Sequence, residues 1–291
     1  MSSPVAIVTG GGSGIGLAVT DHLVSTRGFR VAIFDVDETR GKAAADRLAG
    51  GDTDRCSFHH VDVTKYEKQA DAFKQVFKWG GGRLDLYFAN AGIADTDSIY
   101  QSLAPVDAAT GLPPPLNLTI LDVDLGAVIQ GVHLARHFFA QNPKPGGKIA
   151  ITASCLGVYA SHSVPLYSSA KHALVGLVRS SAPVFAGMNI TINALLPVLV
   201  ETNIWPEHAK HLVDDAQLTP MRTVCKAFDR FLDSEMTGQT VELALDQLIF
   251  RQQQDYTNEN ARWMCEFHEL FETAAAPLLP KPPGHNFVRS K

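Results

Sequence analysis

Tyr167 and Lys171 stand four apart in the run Tyr167-Ser168-Ser169-Ala170-Lys171. At that spacing two side chains share one face of a helix. A free phenol titrates near pH ~10 and is a poor base at neutral pH. An ammonium beside it favours the phenolate. Ser154 lies 13 residues before Tyr167, at the end of an apolar run over 147–153. A hydroxyl there can hold a substrate oxygen while Tyr167 removes or supplies its proton. Taken alone, a Tyr-x-x-x-Lys pair is a weak signal, so the elements around it decide its weight.

The first of those elements is Thr9-Gly10-Gly11-Gly12-Ser13-Gly14-Ile15-Gly16. It follows an apolar strand-like run over 5–8 and leads into a helical pattern over 17–23. Strand, glycine turn and helix form a cradle for a dinucleotide pyrophosphate, because the backbone can approach the phosphate and the helix start offers free N–H groups. A second apolar run, 31–34, ends at Asp35, 19 residues after Gly16. At that distance a carboxylate accepts hydrogen bonds from the adenosine ribose and repels a 2′-phosphate, which predicts NAD rather than NADP. Further strands are predicted over 58–61, 84–88, 147–153, 190–196 and 239–243, with helices over 39–48, 67–79, 121–140 and 170–185. Strands and helices alternating about every 25 residues predict a doubly wound, parallel α/β sheet. In such sheets functional groups collect beyond the carboxyl ends of the strands.

Residues 93–118 break the rhythm with Asp95, Thr96, Asp97, Gly111 and Pro113-Pro114-Pro115. Their length and polarity predict an inserted surface loop near the site mouth. The organisation expected is one domain over 1–255 and a C-terminal extension over 256–291, with a proline-rich arm at 277–284. Residues 203–235 are expected to form a substrate lid.

Composition narrows the partners. The chain has 291 residues, 45% of them apolar, and a net charge of −5. That balance argues against nucleic acid or an anionic membrane as the main partner. No apolar run approaches the ~20 residues of a membrane span. The first predicted strand begins within about five residues of Met1, which leaves no room for a signal peptide, and Cys56, Cys155, Cys225 and Cys265 form no Cys-x-x-Cys pair. A cytoplasmic protein with reduced thiols is expected. His133 and His137 stand i,i+4, but no third ligand accompanies them, so no metal is expected.

With these residues in place, the sequence resembles the short-chain dehydrogenases/reductases in their NAD-preferring form, over 5 to about 205 and near 238–243. The run from Leu166 to Ser180 looks most like the 15-hydroxyprostaglandin dehydrogenase branch, and fungal proteins of unknown substrate resemble it too. The resemblance implies a Rossmann fold. It implies that Gly10, Gly14, Ile15 and Gly16 cradle the pyrophosphate, Asp35 reads the ribose, and Asp62-Val63 flank the adenine. Asn90 and Gly92 belong to the Asn-Ala-Gly turn that braces the sheet and lines the cofactor. Val200 and Thr202 would bond the carboxamide. Tyr167, Lys171 and Ser154 match the catalytic residues, and Lys171 would also bind the nicotinamide ribose. By analogy, and because the helices over 121–140 and 170–185 are apolar on more than one face, a homodimer or homotetramer is expected.

Three positions depart from the pattern. Asp124 stands where the family's catalytic tetrad has Asn, Pro197-Val198 replaces a Pro-Gly turn, and Ala89 replaces the leading Asn before Asn90. Asp124 exchanges an NH₂ donor for a charge and can stabilise the Lys171 ammonium. The expected function is NAD-dependent interconversion of a small-molecule secondary alcohol and its ketone. The competing expectation is an NAD-binding protein with weak or non-redox activity, for which Asp124, Val198 and the 93–118 loop speak.

Overall fold

The computed structural model describes residues 3–204 and 211–266. Residues 1–251 form one compact unit. Its elements run β1 (Val5–Thr9), α1 (Gly14–Ser25), β2 (Arg30–Asp35), α2 (Glu38–Ala49), β3 (Cys56–His60), α3 (Tyr66–Trp79) and β4 (Leu86–Ala89). After the long loop come α4 (Thr119–Leu121), one π-helical turn (Asp122–Gly126), α5 (Ala127–Phe139), β5 (Gly147–Thr152), α6 (Pro165–Ala186) and β6 (Ile190–Pro197). The unit closes with α7 (Met221–Leu232), β7 (Thr240–Ala244) and β8 (Gln247–Phe250). Residues 252–291 form the second unit, whose described part contains α8 (Glu259–Glu266).

The sheet order is β3-β2-β1-β4-β5-β6-β7-β8, and every pairing is parallel except that of β7 with β8. This is the doubly wound α/β fold expected. Strand residues alternate between two apolar layers. Val5 and Ile7 of β1 face α3, α5 and α6, while Ala6 and Val8 face α1, α2 and α7. Every β1 residue is buried, as a sheet covered on both faces requires. On the first face Phe73 packs edge-on against Phe34 and stacks on Phe138. On the second, Phe88 of β4 meets Phe228 of α7 with ring centroids 4.8 Å apart. The order reverses between β1 and β4, so the loops after these two strands open a crevice at the carboxyl end. No helix among the described residues is long and apolar enough to cross a membrane.

Four expectations change. Residues 221–232 of the expected lid form α7, whose Val224, Ala227, Phe228 and Phe231 are buried against the sheet. Proline, polar residues and the absence of a long apolar run hid an amphipathic helix of strong periodicity. Residues 205–210 of that lid, and the arm at 277–284, lie outside the described residues. Strand β3 begins two residues earlier than expected, because Cys56 pairs with Val31 in register. The antiparallel strand β8 was not expected. It is short and half-exposed, and its pairing with β7 is set by the tight turn through Leu245 at φ 52°. Finally, the single helix expected over 121–140 is interrupted by the π turn around Asp124.

Phe228 is a fully buried aromatic that joins α7 to the sheet. Truncation to alanine leaves a cavity the sheet cannot close. Phe228→Ala should lower the unfolding free energy by about 3–5 kcal/mol, read from urea denaturation.

Candidate active site

The glycine turn is built by exclusion of side chains. Gly10 has φ 64° and Gly14 φ 51°, in the region that favours glycine. A Cβ on Gly16 would lie 2.1 Å from the Gly10 carbonyl oxygen and 2.6 Å from Asn90 Nδ2. The turn and the start of α1 therefore leave a cradle of bare backbone. Thr202 packs against Gly14, 3.1 Å from where its Cβ would stand. Ile15 and Val200 point their side chains into the core.

Asp35 ends β2 directly beside this turn. Its Oδ2 accepts from the Gly12 N–H at 2.9 Å and its Oδ1 from the Asp37 N–H at 3.0 Å. Each carboxylate oxygen keeps a further lone pair. The neighbouring Arg40 is turned to Asp37, donating from Nε at 2.6 Å. At the end of β3, Asp62 accepts from the Thr64 N–H and hydroxyl, and Val63 is buried in the core.

Asn90 ties three strand ends together. Its Nδ2 donates to the Thr9 carbonyl at 3.1 Å, and its Oδ1 accepts from Thr152 Oγ1 at 2.9 Å. The Thr9 hydroxyl in turn accepts from the N–H groups of Asn90 and Ala91. Thr9 closes β1, Asn90 follows β4 and Thr152 closes β5, so one polar net fixes the floor of the crevice.

Lys171 and Asp124 form the site's charged centre. Lys171 Nζ lies 2.9 Å from Asp124 Oδ2, with the side chains 3% and 0% exposed. Nζ also donates to the Thr152 carbonyl at 3.1 Å and sits 5.1 Å from the centroid of the Tyr167 ring. Asp124 Oδ1 accepts from the Ile93 N–H at 2.8 Å. Gly92 makes room for this, since a Cβ there would meet Asp124 Oδ2 at 3.0 Å. Burial pushes the Asp124 carboxyl above the ordinary range, and the Lys171 ammonium and Ile93 N–H pull it back only in part. The Asp124 position anticipated in the sequence is thus a direct ion pair with the lysine.

Tyr167 lies in the first turn of α6, and Ser154 lies two residues beyond the end of β5. Ser154 Oγ accepts from the Leu156 N–H at 3.1 Å, which caps a short 3-10 turn. Helix α6 starts with Pro165 and has no side-chain cap at Val164. Asp95 supplies one from the long loop. Its Oδ1 accepts from the Tyr167 N–H at 2.7 Å and its Oδ2 from the Leu166 N–H at 3.2 Å. A carboxylate at a helix start satisfies orphan donors and meets the positive end of the dipole. Val198 keeps a negative φ, since Asn189 and Leu245 are the non-glycine residues at positive φ among those described.

Sequence reasoning missed the roles of Asp95, Thr9 and Thr152. Thr9 and Thr152 carried the faint signal of a hydroxyl at a strand's carboxyl end. Asp95 carried none, because its partners are 71 and 72 residues away.

Fold and site together define the class: an α/β oxidoreductase. The chain belongs to the short-chain dehydrogenase family, whose profile, described as "short chain dehydrogenase", matches residues 4–212. The short-chain dehydrogenase/reductase prx6 of Penicillium rubens is 34% identical over 242 residues, 82% of this chain and 79% of that protein. The prx7 protein of the same fungus is 31% identical over 270 residues, 85% of this chain and 94% of that protein. Among solved structures, a short chain dehydrogenase from Mycobacterium smegmatis superposes with a TM-score of 0.67 at 25% identity, covering 87% of this chain and 94% of that one. An actinorhodin polyketide ketoreductase solved with NADPH shares the fold, with a TM-score of 0.71 at 21% identity over 84% of this chain and 96% of that one.

Removing one member of a buried ion pair strands the other. Asp124→Ala should cost about 3–5 kcal/mol of unfolding free energy, and Asp124→Asn less, since an amide oxygen still accepts from Ile93. The raised carboxyl contributes stability that is full below the ordinary carboxylate range, near pH ~4, and is lost as pH rises through its raised value. The stability of the native protein relative to Asp124→Asn should therefore fall as pH rises above about 4, measured by denaturant unfolding at a series of pH values.

Proposed function

We propose that the protein is an NAD-dependent oxidoreductase interconverting a secondary alcohol and its ketone. The observation that carries the reading is Lys171, held by Asp124 and the Thr152 carbonyl beneath the ring of Tyr167 at the mouth of a glycine-built cradle. The turn fits a dinucleotide: Gly10 and Gly14 adopt positive φ, and Gly16 lets α1 start tight against the Gly10 carbonyl and Asn90, which leaves bare backbone N–H groups for a phosphate. Gly10, Gly14, Gly16 and the backbone of Ile15 would hold the pyrophosphate, and Asp35 the ribose hydroxyls. Asp62 and Val63 would flank the adenine, through backbone in the case of the buried Val63. Asn90, Gly92, Val200 and Thr202 would border the nicotinamide end. The bound nicotinamide supplies the hydride acceptor or donor.

The chain's own residues do the proton work. The Ser154 oxygen accepts from the Leu156 N–H, and its O–H, 4.0 Å from the weak acceptor Cys155 Sγ, would turn to donate to the substrate oxygen. Tyr167 takes the hydroxyl proton of an alcohol, or gives one to the oxygen of a ketone. The Lys171 ammonium lies against the ring of Tyr167, 5.1 Å from its centroid, on the same helix face. Asp95 fixes the first turn of α6 and so the Tyr167 backbone.

Asp35 supports NAD over NADP. A 2′-phosphate would meet a carboxylate, while Arg40, the nearby cation in sequence, is engaged by Asp37. The solved relatives named with NADPH, and an alcohol dehydrogenase of Thermococcus sibiricus named with 5-hydroxy-NADP, are 21% and 20% identical to this chain. Ile129 on α5 and Val184 on α6 are exposed apolar residues that suit pairing with a second subunit. A second reading, NAD binding without redox turnover, is favoured by the carboxylate paired to Lys171, which offsets the charge that the tyrosine needs.

Two measurements test the proposal. Purified protein mixed with NAD and a panel of secondary alcohols should produce reduced cofactor, and Tyr167→Phe should lower kcat by a factor of about 10² or more. Unchanged turnover in that variant removes Tyr167 from the reaction, and NAD binding without turnover of any alcohol or ketone selects the second reading. Calorimetric titration should show tighter binding of NAD than of NADP, with the preference reduced in Asp35→Ala.

A further inference from the structure

The loop over 93–118 is shaped rather than irregular. At its neck, Asp97 Oδ2 accepts from the Asn117 N–H at 2.8 Å and Oδ1 from the Ser98 N–H at 2.8 Å. At its tip, Asp107 Oδ1 accepts from the N–H groups of Ala109 and Thr110, and the Asp107 N–H donates to the Leu112 carbonyl. Two aspartate-nucleated turns thus close the loop at its neck and at its tip. Between the arms is an open cavity of about 660 Å³, lined by residues 96–104, 106 and 113–116. That volume lies within the ~300–1,000 Å³ of small-molecule sites.

Its lining joins large apolar side chains to Thr96, Asp97, Ser98, Gln101 and Ser102, and lacks cations. Ile99, Tyr100, Leu103, Val106 and Leu116 are exposed by 40–65%. So many large apolar side chains left to water on one loop mark a binding surface. No Lys, Arg or His occurs between residues 93 and 118. The charges there are the carboxylates of Asp95, Asp97 and Asp107, and the N–H groups of Asn117 and Ser98 hold the Asp97 carboxyl below its ordinary range, in its charged form. A carboxylate or phosphate brought into this cavity would find repulsion and no partner.

The loop that holds the cavity is joined to the candidate active site at both of its ends. Asp95, one residue before the lining begins, caps the helix that carries Tyr167 and Lys171. Beyond the lining, the loop runs through α4 into the π turn of Asp124, which pairs with Lys171.

Resting on the alcohol–ketone reading above, we propose that this cavity receives the body of the substrate, and that the substrate class is an extended, neutral, apolar secondary alcohol or ketone without an anionic group on that end. Apolar surface of the substrate covers the exposed side chains of the loop. The Asp97 carboxylate in the lining, with no cation on the loop to offset it, excludes anionic analogues of the same length.

The test uses two probes that differ in one group: 11-hydroxydodecanoate and its methyl ester, each with NAD and the full-length protein. The ester should have a kcat/KM about tenfold or more above that of the acid. Leu103→Asp should lower the ratio of kcat/KM for the ester to that for 2-propanol by about tenfold, mainly through KM. Leu103 is 62% exposed, so the variant should fold; Val106→Asp, at 53% exposure, is the second variant. Equal or preferred use of the acid, or an unchanged ratio in both variants, overturns the proposal. If no alcohol is oxidised, calorimetric binding of the same two probes to the protein with NAD separates the two readings. Ester binding that is lost in Leu103→Asp keeps the cavity and discards the reaction. Binding that does not discriminate discards the cavity. A change in gel-filtration volume of Leu103→Asp, with ester affinity intact, assigns the surface to a second copy of the chain and overturns the proposal.

Discussion

The buried pair between Asp124 and Lys171 is the contact on which the rest of the site depends. Two charges almost without solvent must satisfy each other, because the desolvation penalty of either one alone is several kcal/mol. The pair draws four segments to one point. Lys171 comes from α6 and also binds the end of β5 through the Thr152 carbonyl, Asp124 comes from a π turn, and its second oxygen holds the Ile93 N–H at the root of the long loop. A π turn is a poor way to continue a helix, and it persists where a functional contact repays it. Here it carries the carboxylate that pairs with the lysine. A π turn at Asp124 and bare backbone at Gly92 are two sides of that fit.

The sheet supplies the frame in which the pair can form. Strand order reverses between β1 and β4, and the net of Thr9, Asn90 and Thr152 locks the carboxyl ends of β1, β4 and β5. That net is polar and half-buried, and its groups partner one another, so it positions the crevice without leaving an orphaned donor at its centre. The glycine cradle lies on one side of this floor and the Tyr167–Lys171 face on the other. The glycine turn and the Tyr167–Lys171 pair are therefore referred to the same three strand ends.

The long loop is where this chain carries its individuality. Its first carboxylate, Asp95, replaces the missing cap of α6, so the loop's root is part of the helix that holds Tyr167. Beyond that root the loop turns apolar and anionic. The same segment thus anchors the tyrosine backbone and exposes large apolar side chains.

The sequence by itself determined what is local. The glycine run between a strand and a helix, the carboxylate 19 residues after it, and a tyrosine and lysine four apart carry their geometry in their spacing, because strand and helix periods convert separation directly into direction. The alternation of strands and helices then fixed the doubly wound architecture. Tertiary structure decided the rest. Residues 221–232 became a core helix rather than a lid because their apolar stripe meets the sheet beside Phe88. Strand β8 exists because β7 offers an unpaired edge. The cap from Asp95 and the ion pair of Asp124 join residues 72 and 47 positions apart. No local pattern specifies such pairs; they follow from where loops close and where burial forces a charge to find its partner.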